Sequence, residues 1–482
     1  MNTGRLRQFH AAFAGGFGSF VMGSLNVWPS YTSEYYASNT TTPLSAPMTK
    51  AEEALLGSLP SLGAMLGSAM AGVVINTLGR RNGGVFLSLP FVISWAIIGV
   101  TTSIKVILAA RFMAGIASGG FLVLAPIFTS EVSEDSIRGA LASASILLYC
   151  LGSLISYIAG WFLTYRSIIW GNLVLSVTCT LLILLVVESP VYLLRQKRDE
   201  DARQAIARYR GVSVSSMLVL DELTRIKQQI LPAVELISIT DTDPKVEDAE
   251  KQKLNNEQVV PEQPQAMSPI KLLFFSSASR RALIMVCSVI AMQVLMGMVP
   301  VQVYAKTVFA QTDPSKSDLY TVLLAVIQFG GSLVSAFVTD KAGRRILIIS
   351  SSALAAICMV GLGFLLQTKV APPWVTVFLI LAYTFTFMFG AGSIPYVLLA
   401  EVFVSEVQGL ASILVIEWVW LLNFFIIGVF PYMVAAFGIH GVFYIFGAMS
   451  VINVVICCLL VPETKGLSNE QIQDMLRSRK KN

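Results

Sequence analysis

Composition, span length and internal repetition together predict an all-α membrane protein, with 12 transmembrane helices in two pseudo-symmetric six-helix bundles. Of its 482 residues, 55% are hydrophobic and 13% are charged, against about 25% charged in an average globular domain. The mean hydropathy of +0.70 spreads this excess along the whole chain. A soluble fold of this length needs far more polar surface.

Crossing about 30 Å of hydrocarbon takes roughly 20 apolar residues per helix. Twelve stretches qualify: 9–31, 53–76, 84–102, 106–130, 138–163, 167–187, 281–310, 318–339, 345–366, 373–403, 407–434 and 439–460. The first follows a basic start, but it runs too long for a signal peptide and lacks a cleavage site. It reads as the first transmembrane helix.

Charge sets the orientation. One set of helix ends carries Arg5, Arg7, Arg80, Arg81, Arg138, the long 188–280 segment, Arg344, Arg345 and the tail from Arg477 to Lys481. The other set carries only Lys50, Lys105, Arg166, Lys306, Lys316 and Lys369. Basic residues collect on the cytoplasmic side, so both termini are expected there, in a plasma-membrane protein. Asn39-Thr40-Thr41 then falls in the first outer loop as an expected glycosylation site.

The expected division is a first bundle over 1–187, a cytoplasmic linker over 188–280, a second bundle over 281–464 and a tail over 465–482. Within the linker, RQKRDEDARQAIARYRG predicts a surface helix with Ala202, Ile206 and Tyr209 on one face. The later run DTDPKVEDAEKQKLNNEQVVPEQPQ has no apolar period and reads as disordered. Cys150, Cys179, Cys287, Cys358, Cys457 and Cys458 all sit in apolar segments without CxxC spacing, and only His10 and His440 accompany them. They read as small buried hydrophobes, with no metal or other cofactor expected.

Three motif pairs recur in order, at an offset of about 270 residues. Asn76 to Arg81 (NTLGRR) answers Asp340 to Arg345 (DKAGRR). Glu131-Val132 and Gly139 answer Glu401-Val402 and Gly409, and Glu188-Ser189-Pro190 answers Pro462-Glu463-Thr464. Duplicated halves of this kind flank a midplane site that opens alternately to each side. A Gly-Arg-Arg turn presents two delocalised cations that pair bidentately with carboxylates and satisfy helix C-terminal carbonyls. Glu131 and Glu401 are the expected partners. Arg80, Arg81, Glu131, Arg138, Glu188, Arg344, Arg345, Glu401 and Glu463 form the candidate cytoplasmic gate. Their pairs are expected to close the inner mouth and to break when it opens; the alternative is that they only set topology.

These residues resemble the sugar porter branch of the major facilitator superfamily over nearly the whole chain outside 211–270. Further matches are Arg111-x-x-x-Gly115, Pro126 to Glu131 with Arg138-Gly139, and Glu188-Ser189-Pro190-x-x-Leu193-Leu194. The second half adds Ile394-Pro395, Ala400-Glu401-Val402-Phe403 and Pro462-Glu463-Thr464-Lys465-Gly466. Within that branch the chain is similar to the facilitative glucose transporters and to the insect facilitated trehalose transporter group.

The resemblance implies the major facilitator fold and a facilitative, uniport carrier of trehalose or a hexose such as glucose. The implied partners are a small sugar and the lipid bilayer, with no nucleic acid, and the implied working unit is a monomer. It also implies sugar contacts at Gln293, Gln328, Phe387, Tyr396, Trp420 and Asn423. Val294, Val299, Val303 and Ile146 stand where the family places polar sugar contacts. Gln408 stands in place of a gate arginine. Ser30 stands where proton-coupled members carry an acid, which favours passive transport.

The residue chemistry agrees in part: a sugar needs hydroxyl partners on one face and apolar or aromatic surface on the other. Polar side chains between membrane helices also serve as interhelical glue. Glu34 lies at the outer end of the first helix, where water solvates it. Glu417 lies deep in the eleventh span, three residues before Trp420, and is added to the candidate binding set. Carboxylates at that depth are functional by default. This one is open to three readings: a bond to sugar, a proton site, or a bond to a neighbour. A non-transporting sugar sensor and a proton-coupled sugar or polyol symporter using Glu417 remain as alternatives. No nucleophile–base–acid set, metal cluster or phosphate loop points to an enzyme.

Overall fold

A computed structural model describes residues 3–230, 269–467 and 469–478, and these fold into helices. The expected disordered run lies outside the described residues. The first half contains α1 (Thr3–Ala37), α2 (Lys50–Leu78), α3 (Arg80–Val100), α4 (Ile104–Val132), α5 (Asp135–Phe162) and α6 (Tyr165–Leu184). Three short helices follow: α7 (Pro190–Arg195), α8 (Asp199–Arg210) and α9 (Met217–Ile230). The second half contains α10 (Pro269–Phe275), α11 (Ser277–Leu295), α12 (Met298–Val303), α13 (Ala305–Ala310), α14 (Ser317–Ala342), α15 (Arg344–Thr368), α16 (Pro373–Thr386), α17 (Ile394–Glu401), α18 (Ser405–Leu460) and α19 (Asn469–Ser478).

Among the described residues, 10 helical stretches are long and apolar enough to cross a membrane. The other two spans are α1 and the second part of α18. Gly, Ser and Asn residues lower the hydropathy of α1, which packs inside the first half against α4, α5 and α6 rather than facing lipid. The expected eleventh and twelfth spans are joined in α18, whose only non-helical residue is Gly438 at φ 68°. The seventh span, read as continuous, is broken instead. Gly297 adopts φ 89° and separates α11 from α12, and a Cβ there would stand 2.2 Å from the Phe446 ring. The tenth span is interrupted by a π-helical turn over Phe387–Ala391. Such turns occur often at functional sites.

Each half has its own apolar core, one drawn from Ala11 to Tyr209 and the other from Leu273 to Leu476, joined there by Val27 and Tyr157. Between the halves α2 packs on α18 and α5 on α14. These contacts concentrate away from the face that bears the chain ends. The Ser30 hydroxyl accepts Lys306 N–H at 2.9 Å, the Tyr157 hydroxyl donates to the Gln302 carbonyl at 2.5 Å, and Gly57 abuts Tyr304 and Ile427. At Gly139 and at Gly409, at the matching starts of α5 and α18, an added Cβ would meet nothing within 4 Å.

The linker helices return to the first half. Ala202, Ile206 and Tyr209 share the expected buried face of α8. The Tyr209 hydroxyl donates to Val187 O at 2.5 Å, and a buried Arg210–Glu222 ion pair ties α8 to α9. Burial pushes the Tyr209 hydroxyl well above its ordinary pKa. In the second half α19 buries Ile472 and Leu476, and Arg281 of α11 donates to the Leu476 carbonyl at 2.7 Å.

Candidate functional site

The repeated charge motifs become two matching clusters. Gly79 turns the chain at φ 91° between α2 and α3, and a Cβ there would lie 2.4 Å from Glu188 Oε2. Its bareness lets the Glu188 carboxylate reach the first turn of α3, where it accepts the backbone N–H of Arg80 at 2.8 Å and of Arg81 at 3.1 Å. An anion there satisfies orphan donors and complements the helix dipole. The Arg80 guanidinium is buried and donates to both Glu131 oxygens, at 2.7 and 2.6 Å, and to Ile75 O at 3.1 Å. Arg81 Nε donates to the Leu184 carbonyl at 2.9 Å.

The second half repeats this arrangement. Gly343 turns at φ 90°. Glu463 accepts Arg344 N–H at 2.9 Å and Arg345 N–H at 3.2 Å. Arg344 donates to Glu401 Oε1 through Nε at 3.2 Å and Nη2 at 2.9 Å, and to the Thr339 carbonyl at 3.2 Å. Arg345 Nη2 donates to the Cys458 carbonyl at 2.8 Å.

Glu131 and Glu401 therefore meet their arginines as expected, whereas Glu188 and Glu463 cap helices. Both partners of each pair lie in the same half, Arg80 with Glu131 in the first and Arg344 with Glu401 in the second. Arg138, at the start of α5, donates to Ser133 O at 3.5 Å, and Gln408 donates to Ala400 O of its own half at 3.1 Å.

Gln293, Phe387 and Tyr396 lie in or beside the interrupted spans. Gln293, at the end of α11, donates from Nε2 to the Gly392 carbonyl at 2.9 Å, beside the π-helical turn. Phe387 opens that turn and is buried, Tyr396 on α17 is 43% exposed, and Trp420 and Asn423 on α18 are 8% and 7% exposed. Gln293 Oε1, Trp420 Nε1 and Asn423 Oδ1 are buried without a hydrogen-bond partner among the described residues. Buried polar atoms are nearly always paired. Gln328 differs: its Oε1 accepts from Gln302 Nε2 at 3.2 Å.

Gln302 is the residue that sequence reading missed. Its Nε2 also reaches Ser153 Oγ at 3.3 Å, and its Oε1 accepts from the Tyr149 hydroxyl at 3.3 Å, itself bonded to Asn26 Nδ2 at 3.3 Å. It thus ties both halves at mid-depth. A lone glutamine amid valines was the available signal. Val294 and Val303 are buried in the apolar core, and Ile146 is 58% exposed.

Of the three readings for Glu417, the structure provides a neighbour: Ser68 Oγ of α2 donates to Glu417 Oε1 at 2.7 Å, across the halves. Glu34 is exposed, as expected. Arg111 is buried, with its guanidinium donating to the Leu25 carbonyl at 2.6 Å and the Leu56 carbonyl at 3.1 Å, and lying 5.5 Å from the Trp28 ring. Asn39 is exposed, in a turn where Ser38 Oγ accepts the N–H of Thr40 at 3.3 Å and of Thr41 at 3.2 Å.

The facilitated trehalose transporter Tret1 of Polypedilum vanderplanki is 25% identical over 480 residues, spanning 98% of this chain and 88% of that protein. Tret1 of Bombyx mori is 26% identical over 478 residues, spanning 98% and 87% respectively. Among solved structures, the partially occluded inward-open form of the xylose transporter XylE from E. coli shares the fold. It has a TM-score of 0.74 at 21% identity, over 96% of this chain and 99% of that one. Residues 8–476, from α1 into α19, match the family described as sugar (and other) transporter, and the chain belongs to it.

Proposed function

We propose that the chain is a facilitative uniporter that moves a small sugar, trehalose or a hexose such as glucose, by alternating access. The carrying observation is the set of unpartnered buried atoms at Gln293, Trp420 and Asn423. They sit at the expected sugar contacts, beside the aromatic surface of Phe387 and Trp420. A polyol ligand supplies hydroxyls to such atoms, and the aromatic faces cover its C–H surface. Tret1 relatives favour trehalose among the sugars to test.

Passive transport is supported by Ser30, which occupies the acidic position of coupled members and accepts a backbone N–H. The chain works as a monomer in the plasma membrane, with both termini cytoplasmic and Asn39 glycosylated outside. Residues 188–280 tether six-helix halves at 1–187 and 281–464, and 465–482 form the tail.

Uptake of radiolabelled trehalose and glucose into oocytes, at mildly acidic and at neutral pH, tests this reading. Saturable uptake that ignores pH is expected. Acid-driven uptake refutes the uniport. Sugar binding without flux, at verified surface expression, replaces the carrier with a sensor.

A further inference from the structure

A cavity of about 850 Å³ lies outside the sugar site, where α7 and α8 close over the starts of α1 and α3. Its size falls within the range of small-molecule sites, about 300–1,000 Å³. Four guanidinium groups line it, from Arg7, Arg81, Arg198 and Arg208, together with the side chains of Asn82 and Gln204. Its walls are fixed by packing: Gly4 lies so near the α8 terminus that a Cβ there would stand 2.4 Å from the Arg210 carbonyl.

The cations outnumber the acids that remain available. Glu188 is engaged by the first turn of α3, Asp201 accepts from Arg198 Nε at 2.8 Å, and Glu200 is paired with Arg203 at 3.4 Å. Among the described residues the Arg7 guanidinium donates to the Arg208 carbonyl, at 2.9 Å, and the Arg81 guanidinium to the Leu184 carbonyl. The Arg208 guanidinium has no hydrogen-bond partner among the described residues. Three guanidinium groups therefore face one cavity with no carboxylate assigned to them. Planar N–H forks of this kind match phosphate oxygens.

A second cavity of about 230 Å³ shares Arg7, Val187 and Arg208 with the first and continues along Leu185 and Val186 at the end of α6. His10 and Tyr209 complete its lining, so the polar surface reaches the end of α6.

We propose that these cavities form a binding site for a phosphate-bearing anion, with its oxygens held by Arg7, Arg81 and Arg208. The ligand is either an anionic phospholipid headgroup entering beside α6 or a soluble phosphate compound. Once bound, it bridges the Gly-Arg-Arg turn to the linker helix α8.

The test uses the full chain in nanodiscs of phosphatidylcholine. One arm adds phosphatidic acid and counts retained lipid by native mass spectrometry. The other measures equilibrium binding of radiolabelled pyrophosphate to phosphatidylcholine-only discs. Retained phosphatidic acid assigns the lipid source, and saturable pyrophosphate the soluble one. Either is expected to weaken about tenfold or more in Arg208→Gln, through loss of charge-assisted bonds. Gln204→Glu puts an anion into the same cavity without removing an arginine, so it gives the same readout should Arg208→Gln misfold. Lys105→Gln, on the opposite face, is the unaffected control. Retention of neither probe, or binding that is equal in wild type, Arg208→Gln and Gln204→Glu, overturns the proposal.

Discussion

Asn423→Leu separates a sugar contact from interhelical glue, because the two readings predict opposite changes in stability. Asn423 Oδ1 is buried without a partner, and the residue is only 7% exposed. Its side chain makes no hydrogen bond within the protein among the described residues, so leucine breaks none. Leaving a buried polar group unpaired costs about 1–3 kcal/mol, and a similar-sized apolar side chain relieves that cost. The empty carrier is therefore expected to gain roughly 1–2 kcal/mol and to melt a few degrees higher. Sugar loses one hydrogen bond of about 0.5–1.5 kcal/mol, so half-saturation rises about 2- to 13-fold. Thermal scanning of purified protein reads the first quantity, and concentration-dependent uptake into proteoliposomes reads the second. A lower melting temperature with unchanged half-saturation would show that Asn423 holds helices together, and would refute its place in the sugar site.

Other substitutions probe the scaffold and the passive reading. Arg344→Lys replaces the paired contacts to Glu401 with a point charge, and is expected to cost about 1–2 kcal/mol in a thermal scan; an unaltered melting temperature would show the cluster to be idle. Gly297→Ala puts a methyl group 2.2 Å from the Phe446 ring at φ 89°, so it should lower stability by about 2 kcal/mol or more, against wild-type behaviour if the break in the seventh span were permissive. Glu417→Gln keeps an acceptor for Ser68 and should leave uptake indifferent to pH; a loss of acid-stimulated uptake would instead assign a proton to Glu417.

Much of this was written in the sequence because membrane helices need apolar length and the duplicated motifs need fixed partners. Arg80 and Arg344 found Glu131 and Glu401 because rigid helices hold residues spaced this way. The α8 face of Ala202, Ile206 and Tyr209 was readable from its 3.6-residue period. Other features left no trace in composition. The break at Gly297 depends on a left-handed φ and on the approach of Phe446 from a distant helix, which no local pattern encodes. Joining of the last two spans through Gly438 is a matter of one backbone angle. The function of Gln302 was hidden for a related reason: its partners Ser153, Tyr149 and Gln328 converge only after both halves have packed. The charge clusters were legible as pairs, and the structure adds that both partners of each pair lie in the same half.

In the proposed alternating-access cycle, a rotation of one rigid half against the other leaves Arg80–Glu131 and Arg344–Glu401 untouched, because each cluster lies within one half. The contacts such a rotation must change are those that cross: Tyr157 to Gln302, Tyr149 to Gln302, Gln302 to Ser153, Cys150 to Ser332, Ser30 to Lys306 and Ser68 to Glu417. Five of these six are neutral hydrogen bonds, each worth about 0.5–1.5 kcal/mol net. A closure built from a few such bonds can be undone at a cost comparable with the binding energy of a small ligand at millimolar affinity, about 4 kcal/mol. Each charged cluster instead holds the ends of its own helices as one body, so that in the proposed cycle the thin neutral seam between the halves is where motion is expected. Glu417 is the one carboxylate among those crossing bonds, and its bond to Ser68 is the crossing contact whose strength changes most with protonation.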